Sequence, residues 1–213
     1  MADIVAGFAL PDQDAELLAE LRAGSEQAFA SLLATFERPI YNFLYRLLED
    51  PEDAPDVTQE VFLKVFRNIR NFRGECTLKT WLYRITVNEA FNRRRWFSRH
   101  RRRETSLEER EEGSPSVAEL LSDPRENQYE QLLRRERIQA VERGLAEIPE
   151  TFRVVVVMRD IQGLSYEDIA EILQAPLGTV KSRILRGREA LKQKLAAVAG
   201  NRSVGALRPA VVE

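Results

Sequence analysis

Two stretches of this chain carry residue types that could do chemistry, and in both the chemistry is contact with nucleic acid. In the first, the loop-like NIRNFRGEC (68–76) runs into LKTWLYRITVNEAFNRRRWF, and the segment closes on RRRWFSRHRRR, seven arginines within eleven residues. Aromatic faces on which bases stack, set beside a cationic track that neutralises the backbone, are the usual means of holding a single strand. Arginines also suit a helix C-terminus, and Trp81 and Trp96 could simply pack, but so dense a cluster exceeds what capping needs. In the second, LSYEDIAEILQAPLGTVKSRILRGREALKQKL (164–195), a short apolar helix, a tight turn and a basic second helix follow one another. That is the pattern of a DNA-reading helix-turn-helix, with an ordinary helical hairpin as the plainer reading.

The elements that must position these residues are helices throughout. Ser165 caps the first helix of the second stretch, and Asp168 can reach back to complete a capping box. Gln174 to Gly178 breaks it, because Pro176 cannot sit inside a helix, and Thr179 is expected to cap the next. There Val180, Ile184, Leu185, Leu191 and Leu195 are expected inward and Lys181, Arg183, Arg186, Arg188, Lys192 and Lys194 largely outward. Upstream, the apolar spacing predicts helices over 14–23, over a segment capped by Ser25, and over a third opened by Pro39. From 56 to 69, Val57, Val61, Phe62, Val65, Phe66 and Ile69 recur at helical spacing, while Asp53, Asp56, Gln59 and Glu60 form an acidic patch. Acids at a first turn complement the helix dipole; a docking surface for a basic helix is the sharper alternative. The long helix after 76 is capped by Thr77 or Cys76 and places Leu78, Trp81, Leu82, Ile85 and Glu89 on one face. Tyr129 to Ile148 is helical, with Leu132, Leu133, Ile138, Val141 and Leu145 expected inward, and the run of four valines that follows Pro149 is a buried helix, because no partner strand exists for it.

Composition narrows the function classes. The chain has 213 residues, 44% hydrophobic and 31% charged, with a formal net charge of −2, one cysteine and one histidine. Cys76 and His100 cannot build a disulfide framework or a four-ligand zinc site, so no metal and no cofactor are expected, and there is no catalytic residue set. No apolar run approaches the ~20 residues of a membrane span, and the N-terminus lacks a secretory signal; a cytoplasmic protein with no membrane insertion of its own is expected. The charge is segregated: residues 104–127 are acidic and rich in serine and proline, a linker by composition. The expected fold class is all-α, two small helical domains joined by a flexible acidic linker. The expected boundaries are a leader (1–13), a first domain (14–100), the linker (101–127), a second domain holding the helix-turn-helix (128–198) and a disordered tail (199–213).

The segments DAPDVTQEVFLKVFR, FRGECTLKTWLYRITVNEAFNRRR and IPETFRVVVVMRDIQGLSYEDIAEILQAPLGTVKSRILRGREAL, in that order and with a linker between, resemble the extracytoplasmic-function group of bacterial RNA polymerase sigma factors. The resemblance implies a region 2 domain followed by a region 4 domain, and a non-enzymatic initiation factor that binds core RNA polymerase and reads promoter DNA. It implies that the helix carrying Asp53, Asp56, Gln59, Glu60 and Leu63 docks on the clamp of the largest catalytic subunit, with the flap of its partner subunit as a second contact. It implies single-strand capture of the −10 element, one base flipped into a pocket, by Asn68, Arg70, Asn71, Phe72, Trp81, Arg84 and Asn88, with Arg93, Arg94 and Arg95 on phosphates. It implies that Thr179, Lys181, Ser182, Arg183 and Arg186 address the −35 duplex, with Arg188 and Lys192 nearer phosphates. In the family the linker threads the polymerase channel that later carries RNA; the acids Glu104, Glu108, Glu109, Glu111, Glu112 and Glu119 fit mimicry of a transcript and plain solubility equally. Many members also have an anti-sigma factor that clamps both domains. The competing classes are a free-standing helix-turn-helix regulator, which leaves the basic aromatic helix and the acidic patch without a role, and an enzyme on nucleic acid, for which no nucleophile or metal cluster exists.

Overall fold

The computed structural model describes residues 12–48, 50–100 and 128–205, and among them there are eight α-helices and no strand, the all-α class expected. The linker, with the reading of its acids, lies outside the described residues. Helix α1 (Asp12–Ala23) buries Leu18 and Leu21 and ends at Gly24, whose φ of +82° only glycine adopts without strain. Ser25 then caps α2 (Glu26–Leu47), its side chain accepting from the Ala28 amide at 3.3 Å. The third helix expected to open at Pro39 does not exist as a separate element: Pro39 lies inside α2. Leu32 before it and Ile40, Phe43 and Leu44 after it are buried in the same core. That burial outweighs the ~3 kcal/mol an interior proline costs.

A single 3₁₀ turn (Pro51–Asp53) leads into α3 (Ala54–Asn68), which buries Val57, Val61 and Val65 at steps of one turn. A second 3₁₀ turn (Ile69–Asn71) and a loop precede α4 (Leu78–His100). Thr77 is the cap, its hydroxyl accepting from the Thr80 amide at 3.0 Å. Over 23 residues α4 reaches about 35 Å. It buries two faces: Leu78, Leu82 and Thr86 on one, and Tyr83, Val87 and Ala90 on the other.

The second half holds α5 (Gln128–Glu147), α6 (Glu150–Val156) with a π-helical turn (Val157–Ile161), α7 (Tyr166–Leu173) and α8 (Leu177–Gly205). The four-valine run is helical and buried as expected. Leu132, expected inward on α5, is exposed. Helix α8 starts two residues before Thr179 and runs past the expected end at 198; Ala196, Ala197 and Ala199 are strong helix formers that continue it. Thr179 is therefore inside the first turn, and its amide donates to the Pro176 carbonyl at 2.8 Å.

The two halves touch, through contacts that no local pattern announces. Thr80 Oγ1 on α4 donates to Asp168 Oδ1 on α7 at 2.7 Å, and Arg84 forms an ion pair with Glu171. The Tyr83 hydroxyl donates to Gln162 Oε1 at 2.7 Å, Lys79 Nζ donates to the Gln162 carbonyl at 3.1 Å, and Gln162 Nε2 donates to the Pro39 carbonyl at 3.3 Å. Arg46 on α2 faces Glu142 on α5 at 3.6 Å. Burial against this contact, rather than a solvent face, explains Tyr83, whose phenol is pushed well above its usual range by desolvation.

Candidate nucleic-acid and polymerase interface

A concave site of about 360 Å³ opens between the end of α3, the loop after it and α4. Its walls are Asn68, Asn71, Phe72, Trp81 and Asn88, half of the residues assigned to the −10 element, together with Lys64, Ile85 and Glu89. Phe72 is 6% exposed and stacks on Trp81 with ring centroids 4.8 Å apart at 24°. Its carbonyl accepts from the Arg22 guanidinium, so α1 fixes the loop. Lys64 Nζ lies 2.5 Å from Glu89 Oε2, and Glu89 is only 7% exposed. Sequence reasoning passed over Lys64. The available signal was its position one helical turn before Asn68, whose side-chain amide donates to the Lys64 carbonyl at 2.8 Å.

The remaining assigned residues do not converge on this site. Arg70 is exposed and its guanidinium lies against Gly24. Arg84 is held by Glu171 across the contact between the halves. Arg93 is bound to Asp53 at 2.7 Å, and that hydrogen bond raises its pKa further. One acid expected to face a polymerase thus ties α4 to the turn before α3. Arg95 donates to Asn92 at 2.5 Å. Arg94 lies in α4, and its side chain is outside the described residues.

On the opposite side of α3 a broad apolar groove of about 1100 Å³ runs between α2 and α3. Asp56, Gln59 and Leu63 line it, and Glu60 is exposed beside it. Leu63 is 47% exposed and Phe66 61% exposed, so Phe66, expected in the core, sits at the groove with its ring 4.9 Å from that of Phe29. Helical spacing marks Phe66 as apolar but does not say which of two faces receives it. Leu33 and Phe29, on the apolar face of α2, also line the groove.

The helix-turn-helix keeps the order and the capping box read from the sequence, but not the cap at Thr179. Ser165 Oγ accepts from the Asp168 amide at 2.9 Å while Asp168 Oδ2 accepts from the Ser165 amide at 3.2 Å, a complete capping box. The turn places Gln174, not glycine, in the left-handed region at φ +48°. On α8, Lys181, Ser182, Arg186 and Lys192 are exposed and Arg183 is half-buried. Arg188 is gripped by Asp160 through Nε at 2.9 Å and Nη2 at 2.5 Å, and these hydrogen bonds drive its pKa up. Gly187 lets α8 approach α6: a Cβ there would meet Val156 Cγ2 at 2.6 Å and the Phe152 carbonyl oxygen at 3.2 Å. Leu185, expected inward, is 70% exposed. Cys76 is buried, and desolvation pushes its thiol up to about 11, far from a nucleophile's range.

A small cavity beside α4, an apolar groove along α3 and a basic α8 on one all-helical chain are matched by the sigma-70 class of transcription factor. The family model for sigma-70 region 2 matches residues 32–103, and that for sigma-70 region 4 matches residues 138–191. The chain is 36% identical over 189 residues to the RNA polymerase sigma-H factor of Pseudomonas aeruginosa, covering 86% of this chain and 94% of that one. It is 37% identical over 183 residues to the ECF RNA polymerase sigma-E factor of Haemophilus influenzae, covering 85% and 95%. In fold it is similar to the sigma factor RpoE from Bartonella quintana, solved in complex with the anti-sigma factor NepR: TM-score 0.60, 22% identity, 79% of this chain and 96% of that one. The chain belongs to the extracytoplasmic-function sigma factors of RNA polymerase, promoter-specific transcription initiation factors that are not enzymes. No helix among the described residues is long and apolar enough to cross a membrane.

Proposed function

We propose that this factor docks on core RNA polymerase through the α2–α3 groove, reads the −35 element as duplex with α8, and traps the −10 element as single strand against α4, thereby opening the promoter. The observation that carries this reading is the cavity walled by the Phe72–Trp81 stack and three asparagines. Extruding a base from a duplex costs a few kcal/mol. An aromatic platform worth ~1–3 kcal/mol per base, and amide groups that both donate and accept, are the groups that repay it. Exposed Leu63 and Phe66 beside Asp56, Gln59 and Glu60 suit a basic, partly apolar partner helix such as the clamp offers. Two domains, 14–100 and 128–198, joined by the linker 101–127, then act at separate promoter elements, in the cytoplasm. An anti-sigma factor is a further partner on this reading.

Removing the platform tests it. The Trp81→Ala factor, assembled with core polymerase, should bind a single-stranded −10 oligonucleotide about 5- to 150-fold more weakly and keep its −35 duplex affinity. Unchanged single-strand affinity contradicts the reading.

A further inference from the structure

The groove between α2 and α3 leaves apolar surface bare. Leu33, Leu63 and Phe66 are 38%, 47% and 61% exposed, and Phe29 and Phe62 line the same cleft. Single surface leucines need no explanation, but several apolar side chains gathered in one cleft mark a surface that something covers. On the reading above, core polymerase covers it only in the assembled state. The chain holds a second occupant of its own. Residues 4–10, IVAGFAL, carry no charge in a chain that is 31% charged, and Ile4, Val5 and Phe8 recur at the spacing of one helical face.

Reach and charge both favour this segment. Helix α1 follows it, with 12 residues, and Gly24, one residue past the end of α1, forms part of the groove wall. At ~1.5 Å per residue the start of α1 lies within ~20 Å of the groove. Val5, seven residues before Asp12, can travel ~24 Å when extended. Glu26, Glu37 and Asp56 on the groove walls repel an acidic segment such as 104–127, but not residues 4–10, which hold no acid.

We propose that residues 4–10 fold back into the α2–α3 groove of the free factor, with Ile4, Val5 and Phe8 against Leu33, Leu63 and Phe66, and yield the groove to core polymerase. The second half rests on the reading that this groove docks on core. Fixing a short segment costs conformational entropy that offsets most of its apolar gain, so the seat is held weakly and a larger partner displaces it.

The full chain carrying benzoylphenylalanine in place of Phe8 tests the contact. Irradiation of the free factor should give a monomer-sized product cross-linked to α2 or α3 at groove residues, read by peptide mass spectrometry, and excess core polymerase should abolish it. Absence of that cross-link overturns the proposal and leaves the docking reading untouched. A dimer-sized product assigns the groove to a second copy and overturns it as well. Ile4→Asp with Val5→Asp and Phe8→Asp should tighten core binding about fivefold, the factor lost when a groove is free in about one molecule in five. A groove cross-link that core leaves unchanged, joined to unaltered core affinity in the triple variant, overturns the displacement, and the failure is then of the docking reading.

Discussion

Asp168 shows how much one carboxylate can hold. It closes the capping box with Ser165 and accepts from Thr80 across the contact between the halves. Burial alone would raise its pKa, but the hydrogen bonds from Ser165 and Thr80 and the nearby Lys79 ammonium outweigh burial and leave it depressed. A depressed carboxylate contributes stability that is present above its unfolded pKa of ~3.9 and disappears as pH falls through the lower folded value. Asp168→Ala should therefore lower stability to urea by about 1 kcal/mol at pH 7, with the gap between variant and wild type closing below pH ~3.9; a gap that persists in acid contradicts this account of the residue. The capping box was legible because its two partners are three residues apart. The Thr80 bond was not, since nothing within one helix indicates a partner 88 residues away. The same limit applies to the arginines. The family resemblance implies DNA contacts for Arg84, Arg93 and Arg188, but each has an acid waiting on another element: Glu171, Asp53 and Asp160.

Helix α3 works on two sides at once. Val57, Val61 and Val65 fix it to the core, Lys64 and Asn68 turn toward the small cavity, and Asp56, Gln59 and Leu63 face the groove. Its periodicity revealed the buried stripe and the acidic patch. It could not separate core from groove, because an apolar side chain at the edge of a stripe satisfies both. Phe66 and Leu185 were misplaced for this one reason, and Pro39 was overread for a related one, a local penalty overridden by burial on both flanks. On the docking account, Asp56→Arg with Glu60→Arg should reduce affinity for core polymerase at least tenfold by placing like charges against a basic partner. Affinity for an isolated −35 duplex should stay as it was, since both residues are exposed and lie on α3 rather than on α8. Unaltered core affinity in a binding titration would remove the docking claim.

At the scale of the whole molecule, the proposed reading of two separate promoter elements conflicts with the contact between the halves. Elements named −35 and −10 lie roughly 25 base pairs apart, about 85 Å at ~3.4 Å per pair. Domains bonded through Thr80–Asp168, Tyr83–Gln162 and Arg84–Glu171 cannot span that. A chain of 27 residues from 101 to 127 can reach ~90 Å when extended, so the tether permits separation once the contact breaks. Dyes on exposed Glu20 and Gln193 should report high energy transfer in the free factor and a clear drop on assembly with core polymerase. Glu171→Arg, which sets two cations against each other at Arg84, should lower transfer in the free factor as well. Equal transfer free and bound contradicts opening. The two-domain order was legible from three motifs in sequence, whereas their contact depends on pairs drawn from both halves, among them Gln162 with Tyr83, Lys79 and Pro39, which no spacing within one motif pairs. The central claim is that this chain gives core polymerase a promoter it cannot otherwise use. The most direct test is multi-round transcription from a linear template carrying a promoter selected by the factor–core assembly. A run-off transcript of defined start is expected with factor and core together, and none with core alone. Absence of a transcript, joined to tight binding of a palindromic duplex by the factor alone as a dimer, would contradict it.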